Sequence, residues 1–383
     1  MTEPQAQDDG MVIDPQAERR GIGIVLLAVA AMAIGLVGIF STSATRPFVE
    51  AGRVDWRHPL LMQSLYAIVS LTAILVVARV RYRDYRRFAP WALLAVTVLL
   101  ALLLVPGVAR EINGAKRWFR IGPIGIQPSE FAKVALILFF AWFLSRKEDP
   151  LAKFWTGFLP CFVILGCVVG LVALEPDFGT SLFIAAVGGF LMLLAGARLF
   201  HIVPAAVICG VFFASFMYER FEHIPGRIEA FLDDPMANYN TEHSLLALGC
   251  GGLTGAGLGN GREKLAYLPE SSCDFIFSIL GEELGFIGAT VVVLLYVVFL
   301  WKGASIALRA RDTFGLYLAA GATLLVALQA MIHIAVATAS IPTKGIPLPF
   351  ISLGGSNLLS LSIGVGILAS VARWREQPQA GLG

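Results

Sequence analysis

Charge is scarce in this sequence. Only 15% of its 383 residues are Asp, Glu, Lys or Arg and 57% are hydrophobic, whereas a soluble domain carries about 25% charged and about 45–50% apolar residues. The five cysteines form no CxxC pair and no Cys/His cluster at zinc spacing, which argues against a zinc module. Cys161, Cys167, Cys209, Cys250 and Cys273 fall mostly in apolar segments, where cysteine packs as a small hydrophobe. No Rossmann or P-loop glycine pattern stands between a strand and a helix. The glycines read instead as helix-packing positions in lipid. A net charge of +2 gives no sign of a nucleic-acid partner. No cleavable signal is expected at this end, because no basic region opens it and the apolar run after Arg20 is too long.

What the chain has is apolar run length. Runs fall at 22–41, 59–79, 88–108, 131–145, 156–174, 178–196, 200–218, 275–301, 314–338 and 356–373, most of them close to the ~20 residues that cross a bilayer core. The expected fold is all-α and polytopic, with about ten transmembrane helices in one unit over 21–373. A polar tail (1–20), expected to be disordered, precedes it, and a short polar tail (374–383) follows. The arginine-rich loop RVRYRDYRR (79–87), Arg19/Arg20, Arg146/Lys147/Lys153, Lys302/Arg309/Arg311 and Arg373/Arg375 share one side. Their modest basic excess predicts cytoplasmic termini. A long loop (219–274, between helices 7 and 8) and the loops at 109–130, 175–178 and 339–356 then face outward.

The unusual motifs lie on that outer face. In QPSEFAK, Pro128 suits a helix start, and Glu130 and Lys133 at i,i+3 share a helical face. They are either a structural ion pair or a means of holding substrate charge. EPDFGTS, with Glu175 and Asp177, reads as a tight turn rather than a metal site. PTKGIPLPFISLGGSN has three prolines and three glycines, so it cannot be one helix. With Lys344 as its only charge, it is either a re-entrant loop whose N–H groups, Ser352 and cation suit a phosphate-bearing ligand, or a surface loop whose lysine is solvated. PESSCDFIF places Asp274 at the mouth of an apolar run, as a helix N-cap or as a general base at the water–lipid boundary. One of Glu282 and Glu283, deeper in that run, is expected to pair inside the bundle.

The strings NGAKRWFRIGPIGIQPSEFAK, EPDFGTS, GGLTGAGLGNGREKLAYLPESSCDFIFSILGEELGFIG and IPTKGIPLPFISLGGSN, in this order, resemble the SEDS family (shape, elongation, division and sporulation). GLGNGREKLAYLPE and PTKG sit nearer its division branch than its elongation branch. The resemblance implies a peptidoglycan glycosyltransferase that polymerises lipid II on the outer face of the bacterial cytoplasmic membrane. It implies partnership with a class B penicillin-binding protein (a transpeptidase), with undecaprenyl-pyrophosphate-linked glycan, and with other divisome or elongasome proteins. By that pattern Asp274 is the essential carboxylate. Lys344, Arg117 and Arg262 balance pyrophosphate charge, Trp118 packs on sugar or lipid, Ser352 joins the substrate loop, and Glu130 and Lys133 form a core ion pair. No cofactor is required by the pattern, and a divalent cation (Mg or Mn) stays open. The sequence departs from the family at Ser272, Cys273, Leu353, Asn357, Ala266 and Glu175.

Two other functions compete. A lipid II flippase would use intramembrane charge and broken segments, but no internal repeat is evident and the motifs gather outside. A non-catalytic scaffold for a penicillin-binding protein would tolerate loss of Asp274.

Overall fold

A computed structural model describes residues 11–13, 15–43, 49–50, 53–54, 58–107, 109–112, 115–121, 124–146, 151, 153–220, 239–264 and 273–376. A helix stands on every predicted run: α1 (Pro15–Ser43), α2 (Pro59–Arg79), α3 (Ala89–Leu103), α4 (Pro128–Leu144), α5 (Leu159–Leu174), α6 (Phe178–Leu194) and α7 (Leu199–Arg220) come first. After α8 (Tyr239–Cys250) come α9 (Ile276–Leu308), α10 (Thr313–Ala337) and α11 (Gly355–Arg373). Among the described residues six spans are long and apolar enough to cross a membrane, counting α5 with the turn at Phe154–Phe158, and α3, α6 and the first part of α7 are shorter apolar helices. Five helices, α1 to α5, carry proline in their first turn, where the missing N–H would have no partner in any case. Helix α8 is an addition inside the segment read as a loop.

Helix α11 is the axis. Its apolar window is 83% buried, against 17% for α2, and it packs on α1, α2, α4 and α10. Its small residues allow this close approach. A Cβ on Gly355 would sit 2.5 Å from the Tyr66 ring of α2. Exposed Leu65, Ile68 and Val76 on α2 form a face suited to lipid.

The polar ends are built further than their composition predicts. Strand β1 (Met11–Ile13) runs antiparallel to the last strand (Trp374–Glu376), with Ile13 opposite Trp374. Helix α1 begins five residues before the end of the expected tail. A two-residue ribbon, β2 (Val49–Glu50) with β3 (Arg53–Val54), follows α1. The NGAKRWFRIG region is a three-stranded sheet, β4 (Arg110–Ile112), β5 (Ala115–Ile121) and β6 (Ile124–Ile126). The strand after α11 is β7.

Helix α9 is broken at Gly285, which takes φ +68°. A break in a membrane helix frees backbone groups that lipid cannot satisfy. Residues 252–257 satisfy them: Ala256 N–H donates to Glu282 C=O (2.9 Å), Gly257 N–H to Glu283 C=O (3.0 Å), and Phe286 N–H to Gly252 C=O (2.9 Å). Any Cβ on Gly285 would collide with Gly255 and Leu253, and any on Gly255 with Glu283. Part of the loop expected to lie outside is thus inserted into the helix.

Candidate functional site

The EPDFG turn is the first piece. Asp177 is the N-cap of α6 and accepts from Thr180 N–H at 3.3 Å. Gln127 Nε2 donates to its other oxygen at 3.1 Å. Arg117, on β5, donates through Nε to Glu175 C=O at 3.0 Å and through Nη2 to Pro176 C=O, and lies 4.0 Å from Asp177. Its guanidinium therefore closes the end of α5, where carbonyls lack helical partners. Glu175 is buried, and neither carboxylate oxygen has a partner among the described residues. Burial, then the charge of Asp177, pushes its pKa up to about 8, with Arg117 opposing.

The second piece is the start of α4. Glu130 and Lys133 form a buried ion pair at 2.7 Å, as their spacing predicts. Asn357 Nδ2 donates to Glu130 at 2.7 Å, Ser360 Oγ at 3.3 Å, and Lys133 donates to Gln329 Oε1 at 3.3 Å. A buried charge needs such partners. Here they join α4, α10 and α11. Asn357, a departure from the family pattern, is one of them.

The third piece is the PTKGIPLPF loop. Gln329 Nε2 donates to Pro347 C=O at 2.8 Å, His333 Nδ1 meets Ile346 C=O at 2.8 Å, and Tyr296 Oη donates to Pro349 C=O at 2.5 Å. Gln63 spans Ser352 C=O and Gly354 N–H, each at 3.3 Å. These polar side chains in apolar runs were not singled out from the sequence. Their partners are backbone groups of a distant loop, which leave no mark on residue spacing. Ile346 and the stem of Lys344 lie against Gly179 in the EPDFG turn, 3.4 and 3.8 Å from a Cβ placed there. The half-buried Lys344 ammonium has no hydrogen-bond or ion-pair partner among the described residues, and burial lowers its pKa.

Asp274 completes the cluster. It is not the N-cap of α9: that position is Phe275, which makes no side-chain cap bond. The Asp274 carboxylate instead lies beside Gly345, 3.2 Å from where a Cβ would stand. Ser352 Oγ donates to Cys273 C=O at 2.6 Å, and Cys273 Sγ reaches Leu353 C=O at 3.5 Å. Two departures from the family pattern are thus in contact with each other. Contacts at Gly345 and Gly179 link Asp274 and Lys344 to the EPDFG turn that Arg117 holds.

Other expected residues sit differently. Trp118 covers Gly125 on the neighbouring strand, 3.1 Å from a Cβ there. Ser352 spends its hydroxyl inside the loop, accepting from Leu348 N–H at 2.7 Å. Arg262 is exposed, and its backbone N–H donates to Glu282 at 2.6 Å. No described contact joins it to Asp274. Both Glu282 and Glu283 are engaged, the latter with Lys264 at 2.5 Å and Ser41 at 2.6 Å. Ser272 and Ala266, with Cys209's side chain, lie outside the described residues. Among the described residues no three His, Cys, Asp or Glu side chains gather to hold a metal ion.

Residues 22–377 match the FtsW/RodA/SpoVE family of cell cycle proteins. The chain is 38% identical over 353 residues to the probable peptidoglycan glycosyltransferase FtsW of Trichlorobacter lovleyi, spanning 91% of this chain and 92% of that one. It is 38% identical over 355 residues to stage V sporulation protein E of Bacillus subtilis, spanning 92% and 96%. A chain from a solved structure on the coordination of polymerization and crosslinking by a peptidoglycan synthase complex shares its fold with a TM-score of 0.74. That match has 26% identity and covers 92% of this chain and 97% of that one. Sequence and fold agree: this multi-pass membrane protein belongs to the FtsW/RodA/SpoVE family.

Proposed function

We propose that this chain is a peptidoglycan glycosyltransferase that polymerises lipid II. The observation that carries the reading is the Asp274 carboxylate held beside Gly345, the neighbour of half-buried Lys344, which has no partner among the described residues. The family relatives named as glycosyltransferases support it. In the proposed step, Asp274 takes the proton of the acceptor GlcNAc 4-hydroxyl. The oxygen bonds to the anomeric carbon of the donor sugar, and the bond to undecaprenyl pyrophosphate breaks. Lys344 stands where the departing phosphate charge develops. Arg117 acts from behind, holding the EPDFG turn against which Lys344 packs.

The basic loops at the end carrying both termini support a cytoplasmic location for that end and an extracytoplasmic site in the bacterial cytoplasmic membrane. The synthase complex that shares the fold supports a penicillin-binding protein as partner. A flippase would use the broken α9 as a substrate site, but the loop at 252–257 already fills that break.

The test is glycan polymer formation from labelled lipid II by the purified protein, with and without a class B penicillin-binding protein. Polymer from wild type and none from a folded Asp274→Asn variant supports the reading. Equal polymer from both assigns the base to another group. No polymer from either, with growth supported by the variant, favours the scaffold.

A further inference from the structure

A second charged site lies at the opposite end of the bundle. Asp274 precedes the first residue of α9, whereas Arg309 follows its last. There a cleft opens between the ends of α1, α9, α11 and β7, lined by Arg20, Arg309, Arg311 and Trp374 with Ile306 and Val371. Among the described residues no carboxylate lines it. Of the described acids nearby, Asp312 pairs with Arg83 (3.2 Å) and Arg86 (3.5 Å), and Glu18 with Arg373 (3.3 Å). Arg20 and Arg309 have no ion-pair partner among the described residues. Lys302 adds a cation near Arg20, its Nζ 3.1 Å from where a Cβ on Gly23 would stand. The Trp374 indole N–H is buried without a hydrogen-bond partner among the described residues, and the pairing of Trp374 with Ile13 fixes it in place.

Arg20 and Arg309 offer donors and positive charge with no acceptor among the described residues to receive them. Guanidinium groups match phosphate geometry by paired N–H bonds. The position at the ends of apolar spans is where headgroups lie, and basic pockets there suit acidic headgroups. Leu308, next to Arg309, is 80% exposed, and Trp301, two turns back on α9, is 69% exposed, so the cleft continues onto a lipid-facing surface. We propose that this cleft binds the phosphate of an anionic phospholipid headgroup. It is separate from the glycan site and does not depend on the reading of Asp274.

The test uses the full chain in a neutral detergent. Phosphatidylglycerol, phosphatidylcholine and inorganic phosphate are added in separate arms, and thermal stability and retained lipid by native mass spectrometry are read. Phosphatidylglycerol is expected to raise Tm and remain bound, and the other two are not. The double variant Arg20→Gln/Arg309→Gln should lose the shift while keeping its lipid-free Tm, with affinity falling roughly fivefold per charge removed. Arg120→Gln, which removes one charge on β5 as Arg309→Gln does at the cleft, should keep it. Arg309→Gln alone, at an exposed position, serves if the double variant folds poorly. An equal shift with phosphatidylcholine, or a shift that survives both arginine variants, overturns the proposal. An equal shift with inorganic phosphate overturns the lipid source.

Discussion

Ser352 ties the PTKGIPLPF loop to the backbone just before Asp274: its hydroxyl donates to Cys273 C=O at 2.6 Å and accepts from Leu348 N–H at 2.7 Å. Ser352→Ala leaves both backbone groups unpaired, at a cost of about 1–3 kcal/mol. The expected result is a lower Tm and slower polymerisation, with Ser352→Thr recovering both. A Tm loss with unchanged polymerisation rate would show that the clip does not position Asp274.

The Glu130–Lys133 pair is buried on both sides. Glu130→Ala strands the ammonium and should destabilise by about 3–5 kcal/mol. The double variant Glu130→Gln/Lys133→Met removes both charges and should lose less than that single variant. Thermal unfolding of the three proteins in detergent decides it, and a double variant worse than Glu130→Ala refutes the account.

At Gly285 the constraint is steric. Alanine there meets the inserted loop at a φ that side chains rarely adopt, for a loss of at least about 2–3 kcal/mol. Gly189→Ala is the comparison, since a Cβ there meets nothing within 4 Å. Size-exclusion profiles should show monodisperse Gly189→Ala and unstable Gly285→Ala.

Glu175 makes stability depend on pH. Its pKa rises from an ordinary 4.5 to about 8. Between those values the unfolded chain has released the proton and the folded chain keeps it, so stability falls as pH rises through that window. Glu175→Gln removes the ionisable group. Its Tm should match wild type at the acid end and exceed it above pH 8, measured as Tm against pH. Parallel curves would place the burial penalty elsewhere.

Much of this was legible in advance. Apolar run length located the helices because a bilayer leaves few alternatives, and first-turn prolines marked several starts. Glu130 and Lys133 were readable because i,i+3 spacing is local. The filling of the α9 break was not. Residues 252–257 bond through backbone groups, and Gly251, Gly255 and Gly257 look in sequence like any helix-packing glycine. Gln63, Gln329 and His333 were unreadable for the same reason: each serves a loop carbonyl far along the chain. The spacing at Asp274 allowed a cap, and one residue of register decided against it.

The β1–β7 ribbon does more than fasten two ends. Strands can meet only if both leave the membrane on the same side, so Met11–Ile13 against Trp374–Glu376 makes the number of crossings even. Reporters fused at either terminus must therefore light up in the same compartment, and a chain that skipped or gained one crossing during insertion could never close the ribbon.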